Sequence, residues 1–327
     1  MLKNKKYRIL VLVYPIEKYV GHWACSSESI ELARIIMEGE DIKHRIKTKI
    51  LELKPHAIAI IGKKVAEYHS LLDQVLKNIP EFKNIPRIYR CQNTVLARRI
   101  GASKPSKETL SELDHWFKFA THPKFSLVLV QTLTDVDLIS EALDPTMVAA
   151  CPYGYDKTIF DPDLSELERS IDVGCYFNLR NDDRRKKLVE KASKICKKNN
   201  WTFKFELGKY WHDYANLIRR SKICLHHSDQ QEVPFRIYET TCFGTVFVTD
   251  PLTCKIETLF EKDKEYLTYQ PDFSNLELVL GNALNDKEKW LTISKAGKKK
   301  ARNYSWDKVA ETYVVPALEK LLKTREK

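Results

Sequence analysis

Short, unbroken apolar runs alternate along the chain with longer stretches in which apolar residues recur every three or four positions. Runs at 7–13, 56–61, 87–91, 125–131 and 146–151 predict strands buried on both faces. Stretches at 27–38, 63–77, 107–119 and 135–143 predict helices between them. Repeated strand-helix alternation is the mark of a parallel sheet with right-handed crossovers, so the first half is predicted to be a doubly wound α/β domain. The rhythm restarts after residues 152–162. There the pattern predicts strands at 171–177, 202–206, 223–227 and 246–249, and helices at 184–199, 211–220, 237–243, 276–285 and 287–301. Two α/β halves facing each other across a cleft are expected, with ligands at the carboxyl ends of the strands. A last helix, 306–323, contains Pro316, which predicts a kink or break.

Composition narrows this picture. With 43% hydrophobic and 30% charged residues in 327, a disordered chain, a collagen and a disulfide-stapled miniprotein are all excluded. The eight cysteines are scattered, with no C-x-x-C pair, and read as reduced, mostly buried thiols. The basic, apolar start imitates a signal peptide, but Glu17 and Lys18 follow at once. No apolar run approaches the roughly 20 residues of a membrane span, so the expected location is cytoplasmic, with peripheral membrane contact open. The formal charge of +11 is concentrated in the first hundred residues, which hold 19 Lys and Arg against 10 Asp and Glu. Either this is a solvated basic face, or the first domain meets an anionic partner.

The most informative stretch runs from Gln230 to Asp250 (QQEVPFRIYETTCFGTVFVTD): loop, short helix, glycine turn, buried strand, acidic end. Arg236, Glu239, Thr240 and Gly244 form the pattern R-x-x-E-(A/T)-x-x-x-G, which resembles the donor domain of GT-B glycosyltransferases, above all the spore-maturation-type branch. Residues 152–162 (PYGYDKTIFDP) resemble the interdomain segment of that family, 260–269 its loop and strand after the donor site, and 303–306 (NYSW) the aromatic segment before its last helix. The likeness covers the second half; the first matches in rhythm alone.

The resemblance implies a GT-B fold of two Rossmann-like domains: an acceptor domain, 1–151, a nucleotide-sugar donor domain, 152–305, and a helix, 306–327, returning towards the first domain. It implies that Glu239 receives both ribose hydroxyls, a task suited to the two oxygens of a carboxylate. It places Thr240 and Thr241 with the diphosphate, which would rest on the amides of the short helix, and Arg236 in the donor site. Arg180 and Arg185 have the family's R-x4-(K/R) spacing for holding the diphosphate, where fixed cations stabilise the departing group without a metal. The other reading of these two is a solvated basic helix start. Gln231 stands where many retaining members carry a first glutamate to meet the sugar, and retention is the favoured outcome.

In the first domain the loop after the first strand carries Gly21, where a backbone could approach a ligand, and His22, either a structural histidine or the base of an inverting reaction. Ser26 or Ser27 is a ligand-side hydroxyl or the cap of the predicted helix. His226 and His227 alternate along a strand and so point to opposite faces, which argues against one metal, and Asp250 binds ligand or caps a turn. The expected activity is transfer of a sugar from a nucleotide-diphosphate sugar, as co-substrate and without cofactor or metal, to a hydroxyl of an anionic acceptor. Envelope glycan, membrane-associated lipid-linked sugar and hydroxymethylated DNA all fit, with Lys43, Arg45, Lys47 and Lys49, together with Lys3, Lys5, Lys6 and Arg8, either phosphate contacts for DNA or solvated charges. The alternatives are a nucleotide-sugar epimerase of the same fold and a non-catalytic nucleic-acid-binding protein.

Overall fold

Strand β1, Tyr7–Val13, is buried almost throughout, and a strand apolar on both faces needs a neighbour on each edge. It has β2, Ile30–Ile36, on one side and β3, Ala57–Ile61, on the other, both parallel to it. The computed structural model describes residues 6–13, 26–61, 64–91, 118, 120–144, 147–164, 167–179, 183–227, 233–251 and 256–325. They divide into two compact units, Met1–Tyr153 together with Trp306–Lys327, and Gly154–Ser305.

In the first unit the elements after β2 are α1 (Ile42–Leu53), β3, α2 (Val65–Leu76), β4 (Arg87–Arg90), β5 (Leu127–Val130), α3 (Leu133–Ser140) and β6 (Val148–Ala150). The strands form one parallel sheet in the order β2-β1-β3-β4-β5-β6. Ile46, Ile50, Leu72, Val75 and Tyr89 pack with inward residues of β1 and β3 into its core. Helix α3 starts on a full capping box, Thr132 with Asp135, which satisfies its first donors reciprocally.

The region 27–38, expected to be helical, is the edge strand β2. Its β-branched Ile30, Ile35 and Ile36 suit a strand, Glu31 and Arg34 are exposed, and pairing with β1 covers the outer edge of that strand. The helix falls instead at α1, where Ile46 and Ile50 are the buried i, i+4 pair. Lys43, Arg45, Lys47 and Lys49 lie on this helix, so their two-residue spacing distributes them around it. Arg45 donates to the carbonyls of Ile36 and Glu38, and Lys49 pairs with Glu52. The region predicted as a helix at 107–119 lies almost wholly outside the described residues.

The closing helix belongs to the first unit. Trp306–Val309 (α9) leads into a π-helical turn, Ala310–Val314, and then Val315–Arg325 (α10). The Val315 amide donates to the Ala310 carbonyl, five residues back, just before Pro316, whose missing N–H prevents an ordinary turn there. Glu319 accepts from the Tyr7 hydroxyl at 3.1 Å and Glu311 from the Ser29 amide at 2.7 Å.

The second unit runs β7 (Ile171–Cys175), α4 (Asp183–Lys198), β8 (Phe203–Phe205), α5 (Trp211–Arg219), β9 (Ser221–Leu225), α6 (Phe235–Thr241), β10 (Val246–Thr249), β11 (Leu267–Thr268), α7 (Leu276–Leu284) and α8 (Lys287–Ala301). Its parallel sheet has the order β11-β10-β9-β7-β8. Trp201, Phe203 and Phe205 pack, partly buried, against its core. Six of the eight cysteines fall among the described residues, all of them buried thiols.

Candidate active site

The carboxyl ends of β7, β9 and β10 bring together three loops, and two cationic and aromatic side chains fix their backbone. Arg185, in the first turn of α4, is buried; its guanidinium donates to the Asn178 carbonyl at 2.9 Å and twice to the His227 carbonyl, at 3.2 and 3.0 Å. Tyr269 donates its hydroxyl to the His226 carbonyl at 2.8 Å. The loop after β9 is thus pinned at both residues that follow the strand. His227 Nδ1 lies 3.0 Å from Asp250, whose other oxygen accepts from the Thr249 hydroxyl. Asp250 therefore serves a side-chain network. Strand β9 stops at Leu225, so His226 and His227 lie beyond it, and both are buried. Among the described residues no group of three His, Cys, Asp or Glu could hold a metal ion.

Helix α6 follows Pro234, its N-cap, in extended conformation with no side-chain cap, and leads into a turn with Gly244 at φ +74°. That left-handed position explains the glycine of the R-x-x-E-T-x-x-x-G pattern: a Cβ there would also stand 2.9 Å from the Ser294 hydroxyl. Tyr238 anchors the helix from behind, fully buried against Phe260 and Tyr304 with ring centroids 5.4 and 5.1 Å away. The 152–162 and 303–306 segments meet there, since Tyr155 bridges to Ser305 and its amide donates to the Tyr304 carbonyl.

Glu239 occupies the middle of α6 and is half-buried. Burial pushes its pKa up to about 7, against the pull of the Arg236 guanidinium and of a hydrogen bond with the Tyr214 hydroxyl. Tyr214 comes from the first turns of α5 and packs edge-on against Phe160 and Tyr176. Its hydroxyl also bonds Arg236, and burial, then the charge of Glu239, drives its own ionisation well above the usual range. Arg236 is three residues before Glu239, on the same helix face. Its Nε is buried without a hydrogen-bond partner among the described residues, as is Nδ1 of His226. Burial, then Arg236 and Arg185, hold His226 neutral between the rings of Phe177 and Phe247.

An orphaned guanidinium N–H beside a carboxylate that burial drives toward protonation is a desolvated polar pair with unspent hydrogen-bonding capacity. Such a pair accepts hydroxyls at the carboxylate and donates to an oxygen at the guanidinium.

Of the residues expected in the site, Arg236 and Glu239 come together here. Thr240 and Thr241 do not face it. Because α6 starts two residues earlier than predicted, they fall in its last turn, both 1% exposed. Thr241 donates to the Ile237 carbonyl and Thr240 bonds the Cys224 thiol. Ser26 is exposed and its hydroxyl accepts from the Leu32 amide at 3.3 Å, so with its helix replaced by an edge strand it caps nothing helical. Gly21, His22, Arg180 and Gln231 lie outside the described residues. Tyr214 escaped the sequence reading because a tyrosine at a helix start carries no signal of its own; only the packing of α5 beside α6 shows its partner.

The glycosyl transferase-like family matches residues 184–314, from the first turn of α4 through the π-helical turn. Among solved structures, a sucrose-phosphate synthase from Thermosynechococcus elongatus is similar at a TM-score of 0.61 and 11% identity, over 97% of this chain and 100% of that one. A glycosyltransferase from Rickettsia africae is similar at 0.60 and 10%, over 98% and 100%. HepE of Anabaena, solved with UDP, is similar at 0.59 and 12%, over 97% and 99%. The chain has the GT-B fold. Among curated protein sequences none matches it. The stretch that matches the glycosyl transferase-like family contains Arg185, Arg236 and Glu239. No helix among the described residues is long and apolar enough to cross a membrane.

Proposed function

We propose that this protein is a glycosyltransferase that moves a sugar from a nucleoside-diphosphate sugar to a hydroxyl of an anionic acceptor, without a metal and with retention favoured. The observation that carries the reading is the Glu239, Arg236 and Tyr214 group: a carboxylate held at the edge of ionisation beside a buried N–H with no partner among the described residues. The donor's ribose hydroxyls satisfy the carboxylate, and their hydrogen bonds offset the burial that disfavours its charge. A diphosphate or sugar oxygen satisfies Arg236. HepE was solved with UDP and with UDP-glucose, which supports a nucleotide-sugar donor for this chain.

Arg180 is assigned to the diphosphate, where a fixed cation stabilises the negative charge that builds on the leaving oxygen. Arg185 acts in this reading by holding the carbonyls of the two loops in place. Gln231 hydrogen-bonds the transferred sugar, and Gly21 and His22 belong to the acceptor side. The acceptor is assigned by charge: the first hundred residues carry the excess of Lys and Arg, which suits an envelope glycan or a lipid-linked sugar at a negative surface. DNA is the weaker choice, because two of the four candidate phosphate contacts on α1 are occupied within the chain.

A donor screen tests the proposal: uridine, guanosine and thymidine diphosphate sugars are incubated with the protein in the presence of a chelator, and released nucleotide is read by mass spectrometry. Release from one donor, greatly reduced in Glu239→Ala, is expected. Release from none, or release unaffected by the substitution, contradicts it.

A further inference from the structure

In the first unit a cavity of about 880 Å³ opens at the amino-terminal edge of the sheet, where β3, β4 and β5 begin. Ligands of open α/β sheets gather at the opposite, carboxyl edge, so this cavity is separate from the strand ends that serve the transfer reaction. Lys83, Arg87, Lys124 and Arg325 line it, and Asp73 is the one carboxylate among them. Four cations around one anion leave a net positive hollow, and that anion is already engaged: Arg87 holds one oxygen of Asp73 and Lys124 the other. Lys83 is exposed, and its ammonium has no ion pair or hydrogen bond among the described residues.

The donors are held in place in advance. Arg87 is buried in the floor, with a nitrogen 2.9 Å from His69 Nδ1. Arg325, near the end of α10, donates to the Asn84 carbonyl and, at 2.9 Å, to the Ser126 hydroxyl. Ser126 also accepts from the Arg87 amide, which leaves its own hydrogen for an acceptor in the cavity. Behind the floor the rings of His69 and His122 stack at 4.4 Å, and both are kept neutral by burial and by the nearby cations. They add no positive charge, but they register the field that fills the hollow.

We propose that this cavity binds a phosphate group, a phosphomonoester or diphosphate, with Lys83, Lys124 and Arg325 around it and Arg87 and Ser126 beneath. Its volume is in the range of small-ligand pockets, and oriented cations and hydroxyls are what multiply charged phosphate oxygens need. The phosphate is either free or the phosphomonoester headgroup of phosphatidic acid; both present the same oxygens.

The test titrates pyrophosphate into the full protein by calorimetry, and in parallel sediments the protein with phosphatidylcholine vesicles that contain or lack phosphatidic acid. Wild type is compared with Lys83→Ala/Lys124→Ala, which alters only exposed side chains, and with Lys287→Ala/Lys299→Ala, which removes two exposed charges from the second unit. Loss of two charge-assisted contacts predicts pyrophosphate affinity more than about tenfold weaker in the first variant and unchanged in the second. Binding of the vesicles that contain phosphatidic acid alone, with the same variant pattern, identifies a lipid headgroup; binding of pyrophosphate alone identifies a free ligand. Donor binding in Lys83→Ala/Lys124→Ala remains that of wild type, which separates this site from the donor site. No binding of either probe by wild type, or equal weakening in both variants, overturns the proposal.

Discussion

Glu239→Gln keeps the size and hydrogen-bonding shape of the side chain and removes its ionisation. In the folded protein burial raises the carboxyl from its ordinary 4.5 to about 7. Ionisation therefore costs more in the fold than in the unfolded chain, and between those two values the native state binds the extra proton. The protonated carboxyl's contribution is whole below about 4.5 and is lost as pH rises through about 7. Between pH 5 and pH 8 the loss is about 2 kcal/mol, discounted for the half-buried position. The glutamine variant lacks this loss, so it should gain on wild type by about 4–8 °C in thermal midpoint between pH 5 and pH 8. Scanning calorimetry of both proteins at the two values measures this. Donor binding runs the other way, because ribose hydroxyls bind the carboxylate form: wild-type affinity for the nucleotide should rise by up to about tenfold per pH unit below 7, then level off. Wild type and Glu239→Gln with identical pH responses would refute the argument from burial, however the donor binds.

Further substitutions probe the groups around this carboxylate. Tyr214→Phe removes a hydrogen bond that favours the charged form, so the pH midpoint of nucleotide binding should move upward, as read by titration calorimetry at stepped pH. Gly174→Ala places a methyl 2.5 Å from the buried ring of Tyr176, whose hydroxyl meets Ser221 at 2.7 Å, and should cost about 1–3 kcal/mol in urea unfolding. Gly244→Ala forces a side chain into φ +74° and against Ser294, with an expected loss of about 1–2 kcal/mol by the same measurement. Arg185→Lys cannot hold two carbonyls with a planar fork, so donor turnover should fall while far-UV circular dichroism is unchanged.

The sheets were legible because their strands are continuous apolar runs between turn residues; predicted strands at 7–13 and 246–249 coincide with β1 and β10. The miss at β2 has a physical cause. An edge strand is half-solvated, so Glu31 and Arg34 interrupt the apolar pattern and leave a spacing that also fits a helix. Helix α1 was passed over because it is so basic that its two buried residues, Ile46 and Ile50, stood out little. The Arg236 and Glu239 pair was legible as local helix spacing, and Gly244 as a turn. Tyr214 was not, since its partner lies on the next helix, and the inward turn of Thr240 and Thr241 hinged on a two-residue shift in where α6 begins. The cationic hollow needed the fold entirely, because its lining comes from stretches far apart along the chain, with α10 supplying Arg325.

The claim at the centre is that the Glu239 carboxylate holds the nucleoside of the donor. Titration calorimetry of uridine, guanosine and thymidine diphosphates at pH 8, against wild type and Glu239→Ala, addresses it without an acceptor. The account predicts that one of the three binds wild type, and that the variant binds it more than about tenfold more weakly, as the loss of hydrogen bonds to a charged acceptor requires. Equal affinity in the two proteins would contradict it, as would no binding of any of the three to wild type.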